Sequence, residues 1–180
     1  SSALDGGSAE EEHQTKPIND EQKDYQTILT MEALELWCDK LEKSQVFAFD
    51  TETTSLNYMD AKVVGMSFAV SANEAAYLPI SHSYLEAPEQ LNWADLKQRL
   101  IPILETEEHK KVGQNLKYDR SVLLNHDITL KGIAHDTMLQ SYVFNSVASR
   151  HDMDSLSLKY LGKPTIKFEE IAGKGAKQLT

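Results

Sequence analysis

The stretch QVFAFDTETTSL, Gln45 to Leu56, decides how the rest of the chain is interpreted. Its apolar run 46–49 predicts a central β-strand buried by helices on both faces. Asp50 and Glu52 follow at the strand end and share one face, because successive strand side chains point to opposite faces. Two carboxylates this close repel each other, and partial burial adds a desolvation cost. A divalent cation is the first candidate to offset that cost.

Hard cations such as Mg²⁺ take oxygen ligands and are typically held by one or two carboxylates together with substrate phosphates. The alternative is a strand-end Asp and Glu that merely face water. A strand buried on both faces rarely ends in an unused pair of charges, so the apolar run favours the metal site over this alternative.

A second carboxylate stands in GQNLKYDRSVLL, where Asp119 lies four residues after Asn115 at the start of a predicted helix. Ligands of α/β proteins bind where strands end and helices begin. The simpler alternative is that Asp119 only interacts with the helix dipole.

Strands and helices alternate along the chain, which predicts an α/β domain with a mixed central sheet flanked by helices. The helix 91–105 should be interrupted near Pro102. The expected strands are 45–51, 62–70, 74–80 and 110–115, and the expected helices are 31–43 after Thr30, 91–105, 116–127 capped by Asn115, 137–147 capped by Asp136, and 155–162 capped by Asp154.

Composition limits the class of protein. No apolar run is long enough to span a bilayer, and the N-terminus has no secretory signal, so no membrane partner is expected. The single Cys38 fits a reducing cytoplasm. Residues 1–24 are acidic and poor in aromatics, as in a flexible linker. Without an initiating Met, the chain is expected to be a fragment.

The net charge of −10 argues against a nucleic-acid partner, but its distribution is uneven. Residues 109–180 carry 11 basic and 7 acidic side chains, a net charge of +4. A phosphate-binding face could form there, with Lys110, Lys111, Lys117, Arg120 and Arg150 among its members.

Two further motifs indicate structure rather than chemistry. HDMDS, residues 151–155, resembles a metal motif in composition, but its acids suit a turn and a helix cap, and His135-Asp136 is interpreted in the same way. GKGAK, residues 173–177, lacks the strand and the Lys-Ser/Thr ending of a P-loop.

Taken together, FDTETTSL, GQNLKYDRSVLL, DTMLQSYVFNSVASRHDMDSL and FEEIAGKGAKQLT resemble the proofreading 3′–5′ exonuclease domains of bacterial DNA polymerase I, over residues 25–180. The resemblance implies a ribonuclease H-like fold and two divalent cations, Mg²⁺ or Mn²⁺. It also implies single-stranded DNA 3′ ends as substrate, a polymerase domain in the same parent chain, and a cytoplasmic, nucleoid-associated location. Asp50 would bridge both ions, Glu52 would bind the ion that carries the nucleophile, and Asp119 would hold the second ion through water.

The same resemblance implies contacts with the DNA strand. Leu56 would wedge against the terminal base, and Thr53 would lie beside the terminal nucleotide. Met138 and Phe168 could equally be core residues. The full set is Thr53, Leu56, Gln114, Asn115, Tyr118, Met138, Arg150 and Phe168.

The family's third motif, a Tyr followed four positions later by an Asp on a later helix, does not occur in a suitable place before Thr180. We therefore expect a domain whose C-terminal helices are missing and whose own activity is weak or absent. One alternative is a non-catalytic module that binds DNA ends or supports a polymerase domain. A weaker one is a related nuclease that acts on RNA.

Overall fold

A computed structural model describes residues 23–147 and 150–166 of the chain. The β-strands are β1 (Asp24–Thr27), β2 (Val46–Thr53), β3 (Val63–Ser71), β4 (Glu74–Pro79), β5 (Lys110–Gly113) and β6 (Ile133–Asp136). The helices are α1 (Met31–Lys43), α2 (Trp93–Leu104), α3 (Leu116–Leu124), α4 (Thr137–Phe144) and α5 (Met153–Leu161). Neither β1 nor β6 was predicted from the sequence, whereas the mixed α/β architecture was.

Within the described residues the strands form one six-stranded sheet in the order β1-β4-β3-β2-β5-β6. β2 and β3 are antiparallel, as are β3 and β4, whereas β5 runs parallel to both β2 and β6. The carboxyl ends of β2, β5 and β6 therefore meet at one edge of the sheet, and α3 and α4 start from that edge. This is the edge at which ligands of α/β proteins bind.

One face of the sheet carries the hydrophobic core. Phe47 and Phe49 of β2 are buried there together with Phe68 of β3. The amphipathic stripe predicted for α1, Leu34, Trp37 and Leu41, is buried against the same core. Burying side chains of this size provides most of the favourable free energy of folding.

The opposite face is open in the part of the chain that the structure describes. Val46 is 40% exposed, and Ala48 and Asp50 are half-buried beside a groove of about 490 Å³. Within residues 23–147 and 150–166, helices therefore do not bury β2 on both faces as predicted. Asp50 and Glu52 lie on this open side.

Three local predictions were wrong for physical reasons. Helix α2 is not interrupted at Pro102 but continues to Leu104, where its last turn packs into the core. The cap of α5 is Asp152, whose carboxylate accepts from the Ser155 N–H at 2.9 Å, and Asp154 lies inside the first turn. Asn115 occupies the N-cap position of α3 without a side-chain cap.

Lys111 does not belong to a phosphate-binding face. Its side chain is fully buried, and its ammonium donates to the backbone carbonyls of Ile103, Leu104 and Thr106 at 2.6, 3.3 and 3.2 Å. The amine therefore caps the C-terminus of α2, which has no basic residue in its last turn. Lys110, Lys117, Arg120 and Arg150 are exposed.

Candidate active site

Asp50 and Glu52 project from the end of β2 on the open face of the sheet. Asp50 is paired with Ser67 of β3, and Glu52 with Gly65. The register shifts immediately after Glu52, where the strand leaves the regular ladder. Asp50 is half-buried and Glu52 is exposed, so the pair spans the boundary between the protein interior and solvent.

Asp119 reaches the same strand from the first turn of α3. It is 2% exposed. Its Oδ1 accepts two hydrogen bonds from Thr51, from the backbone N–H at 2.9 Å and from the hydroxyl at 2.6 Å. The residue between Asp50 and Glu52 thus fixes the third carboxylate of the site.

The three carboxylates influence one another electrostatically. Burial, followed by the negative charges of Asp119 and Glu52, raises the pKa of Asp50 to about 7. Burial also raises the pKa of Asp119, against the lowering effect of the two Thr51 hydrogen bonds. The raised pKa values of Asp50 and Asp119 mark a place where added positive charge is favourable.

The chemistry of these donors fits a hard divalent cation, because all three offer carboxylate oxygens and their negative charge is not neutralised by a salt bridge among the described residues. Their geometry is less complete. Within residues 23–147 and 150–166, no three His, Cys, Asp or Glu side chains are gathered closely enough to hold a metal ion together.

The loop after β2 is tied to α3 by Tyr118. The Tyr118 hydroxyl donates to the backbone carbonyl of Ser55 and lies 2.5 Å from the hydroxyl of Thr53. Thr53 and Tyr118, which were both predicted to contact DNA, are therefore anchored beside the carboxylates. Leu56, one residue beyond this anchor, is 96% exposed, which leaves its side chain available to a ligand.

A second anchor lies at the end of β5, where Gln114 joins the start of α4 to the segment before α5. Its amide donates to the carbonyl of His151 at 2.7 Å, and its carbonyl accepts from the Thr137 hydroxyl. Gln114 also lines the groove that contains Asp50. Its contact with DNA stays a prediction.

Asn115 has left-handed backbone dihedrals, with φ 58° and ψ 43°. The cap of α3 comes from Asp136, whose carboxylate oxygens accept from the backbone N–H groups of Asn115 and Leu116 at 3.2 and 2.8 Å. The same carboxylate accepts from Met138 and Leu139 at the start of α4. One buried side chain thus holds the N-termini of two helices.

The remaining predicted contacts lie further along the chain. Met138 is half-buried in the first turn of α4, which has no buried residue, so it is not a core side chain. Arg150 is exposed. Phe168 lies outside the described residues.

Comparison with known proteins identifies the family. A family model described as 3′–5′ exonuclease matches residues 25–180. The chain is 55% identical over 159 residues to DNA polymerase I of Pseudomonas aeruginosa, and 37% identical over 173 residues to DNA polymerase I of Rhizobium leguminosarum. This chain belongs to the 3′–5′ exonuclease domain family of bacterial DNA polymerase I. Each of these alignments covers 87% of the chain and 17% of the relative, so the chain spans about a sixth of their length.

Solved structures agree with the exonuclease fold. The polymerase Pol1 from M. smegmatis, in complex with DNA primer-template and dNTP, matches with a TM-score of 0.64 at 19% identity, over 78% of this chain and 23% of that one. RNase D of Escherichia coli matches with a TM-score of 0.58 at 19% identity, over 81% and 36%. The ribonuclease H-like exonuclease fold predicted for the domain is therefore confirmed.

Sequence reasoning missed three residues that surround these carboxylates. Thr51 was treated only as part of the strand, Asp136 only as the cap of α4, and Tyr77 not at all. The first two act through partners about twenty or more positions away, which a single sequence does not reveal. A signal for Tyr77 existed in Gly65, a glycine inside a strand, which often marks a close approach by another group.

Proposed function

We propose that this domain hydrolyses the 3′-terminal phosphodiester of single-stranded DNA and releases nucleoside 5′-monophosphates, as the proofreading part of a DNA polymerase I. Membership of the exonuclease family supports the reaction class. The observation that carries the proposal is that Asp50 and Glu52 end β2 near Asp119, where burial and then the charges of Asp119 and Glu52 raise the pKa of Asp50 to about 7.

The carboxylates have distinct roles in this proposal. Two divalent cations, Mg²⁺ or Mn²⁺, would supply Lewis-acid stabilisation of the phosphate charge and a water of lowered pKa. Asp50, the most central of the three, would help to hold both cations. Glu52, which is exposed to solvent, would help to hold the cation that carries the attacking water. Asp119 already accepts two hydrogen bonds from Thr51 at Oδ1. Its other carboxylate oxygen would help to hold the second cation through a water.

The substrate strand would enter along the open face. Leu56 would pack against the terminal base, and the exposure of its apolar side chain next to the anchored 53–55 segment supports this role. Apolar contacts of this kind bind bases without sequence preference, as a proofreading site requires. The exposed Arg150 would pair with backbone phosphate.

The test uses a 5′-labelled single-stranded oligonucleotide with Mn²⁺. It compares this chain, the full-length product of its gene, and Asp50→Ala in each. We expect the full-length protein to shorten the oligonucleotide from its 3′ end, and Asp50→Ala to abolish the shortening. If neither protein cleaves but both bind the oligonucleotide, the domain is a DNA-end-binding module and the proposal is wrong. Degradation of an RNA oligonucleotide in preference to DNA would instead favour an RNA-directed nuclease.

A cytoplasmic, nucleoid-associated location and a polymerase domain in the same parent chain belong to this proposal. The bacterial DNA polymerase I relatives support the polymerase domain. Within the described residues, none of the helices combines the length and apolar character that crossing a membrane requires.

A further inference from the structure

Tyr77 of β4 lies on the open face of the sheet, in the groove that also contains Asp50. The strands align Asp50, Ser67 and Tyr77 in one row across β2, β3 and β4. Gly65, two residues from Ser67 on the same face, leaves a gap beside this row. A Cβ atom placed on Gly65 would lie only 1.9 Å from the Tyr77 hydroxyl oxygen. The hydroxyl therefore occupies the space that a side chain at position 65 would fill.

That space lies directly beside Glu52. Gly65 is the cross-strand partner of Glu52, and directly paired residues on one face have Cβ atoms roughly 4.5–5.5 Å apart. The Tyr77 hydroxyl consequently lies roughly 3–7 Å from the Glu52 Cβ, a range from which it can reach the Glu52 carboxylate directly or through one water. The charge of Glu52 is also one of the causes that raise the pKa of Tyr77 to about 12, after burial, so the hydroxyl is protonated. Its single proton is directed to Glu52 in the tautomer in which the His82 Nε2–H donates to the Tyr77 oxygen.

The far side of the tyrosine is fixed by His82. The Tyr77 oxygen and His82 Nε2 are 2.6 Å apart. His82 is in turn held by Gln90, whose side-chain oxygen accepts from the His82 N–H at 2.8 Å and whose amide donates to the His82 carbonyl at 2.8 Å. Tyr84 packs edge-on against the His82 ring. A side chain constrained in this way loses little entropy when it makes a further hydrogen bond.

We propose that Tyr77 is a positioning residue of the exonuclease site, with its His82-anchored hydroxyl directing the Glu52 carboxylate through a hydrogen bond. This inference rests on the proposed function, since it assigns Tyr77 a part in the same reaction. The role requires the hydroxyl rather than the ring, because only the hydroxyl can form a hydrogen bond with the Glu52 carboxylate. It also requires Glu52, because Tyr77 acts through that carboxylate.

The experiment measures kcat and KM for 3′-end hydrolysis by the full-length gene product with Mn²⁺, using Tyr77→Phe. We expect kcat to fall about tenfold, the effect of one lost hydrogen bond, while KM for DNA and the midpoint of thermal unfolding stay near those of the wild type. The matched control is Tyr25→Phe, on the same sheet face but paired with Ala75 further from Glu52. It should keep wild-type kcat.

Two further variants test the route through Glu52. In a Glu52→Gln background, Tyr77→Phe should reduce kcat much less than in the wild type, because the carboxylate it directs is gone. Gly65→Ala should lower kcat as well, since the new methyl group displaces the hydroxyl. If Tyr77→Phe fails to fold, His82→Gln removes the anchor from outside the sheet and should show the same fall in kcat.

The possible failures are distinguishable. If Asp50→Ala abolishes hydrolysis while Tyr77→Phe, or its replacement His82→Gln, behaves like Tyr25→Phe, the inference is overturned and the proposed function stands. Equal effects of Tyr77→Phe with and without Glu52 would overturn it too, because Tyr77 would then act independently of Glu52. If Asp50→Ala retains full hydrolysis, the proposed function fails and the positioning role fails with it.

Discussion

The hydroxyl and the backbone N–H of Thr51 both donate to Oδ1 of Asp119, at 2.6 and 2.9 Å. This contact joins the strand that carries Asp50 and Glu52 to the helix that carries Asp119. It places a buried carboxylate beside two others without a salt bridge among the described residues. The orientation of Asp119 therefore depends on a neutral hydroxyl, which holds the carboxylate without neutralising the charge that a cation needs.

The first prediction concerns this hydroxyl. Thr51→Val keeps the shape of the side chain but leaves the buried Asp119 with one donor fewer, so the free energy of unfolding should fall by about 1–3 kcal/mol. Urea denaturation measures this change. Thr51→Ser, which retains a hydroxyl, should recover part of the loss. Thr27→Val, at an exposed position of β1, serves as the control and should change stability by less than about 0.5 kcal/mol. A Thr51→Val protein as stable as this control would show that the hydroxyl contributes nothing.

The second prediction concerns Asp136, which caps two helices. Removing an N-cap side chain typically costs about 0.5–2 kcal/mol, so Asp136→Ala should cost about twice the loss of a single cap. Asp152→Ala is the matched comparison, because Asp152 caps α5 alone from an exposed position. Urea unfolding midpoints for the two variants check the ratio. Equal losses would mean that one of the two helix ends does not depend on Asp136.

The strands and helices that are determined by residues close together in the sequence were predicted correctly. The run 46–49 predicted β2, and the stripe of Leu34, Trp37 and Leu41 predicted α1, because periodic burial is encoded within one element. The Asp50 and Glu52 pair was recognised as unusual because two carboxylates end an apolar strand. These inferences needed no knowledge of the rest of the fold.

The errors share a different cause, which is contact between distant segments. Pro102 was expected to interrupt α2, but Lys111 from β5 caps the carbonyls at its end and the last turn is buried. Asn115 was expected to cap α3, but its side chain makes no cap hydrogen bond, and the carboxylate of Asp136 accepts from the N–H groups of Asn115 and Leu116 instead. In both places a side chain from a distant strand caps the helix end. Local sequence propensity does not reveal such a partner.

The third prediction concerns His126, which fastens α3 to the start of β3. The Val63 N–H donates to its Nε2 at 3.1 Å, so that nitrogen must be unprotonated. Burial and then the nearby Lys97 lower the pKa of His126. Because the folded pKa lies below the unfolded value, the stabilising contribution is complete above about pH 6.5 and is lost as the pH falls below it.

Thermal unfolding of the wild type and His126→Gln between about pH 7.5 and pH 5 tests this dependence. The difference in unfolding midpoint between the two proteins should shrink as the pH falls. His135→Gln, at an exposed histidine of β6, is the control and should run parallel to the wild type. A difference that stays constant with pH would contradict the role assigned to His126.

The last prediction uses the raised pKa of Asp50. Burial and the neighbouring carboxylates raise the pKa of its carboxyl from 3.8 to about 7 in the folded protein. Ionisation of Asp50 therefore opposes folding progressively above about pH 4 and fully above about pH 7. Without metal, Asp50→Asn should therefore unfold at a higher temperature than the wild type at about pH 8 and at a similar temperature at about pH 4.5.

Mn²⁺ should stabilise the wild type more at about pH 8 than at about pH 5.5, and should stabilise Asp50→Asn much less. Glu108→Gln, at an exposed carboxylate, should behave like the wild type throughout. Mn²⁺ stabilisation that is independent of both pH and Asp50 would place the cation elsewhere, whereas the expected pattern would assign it to this strand end.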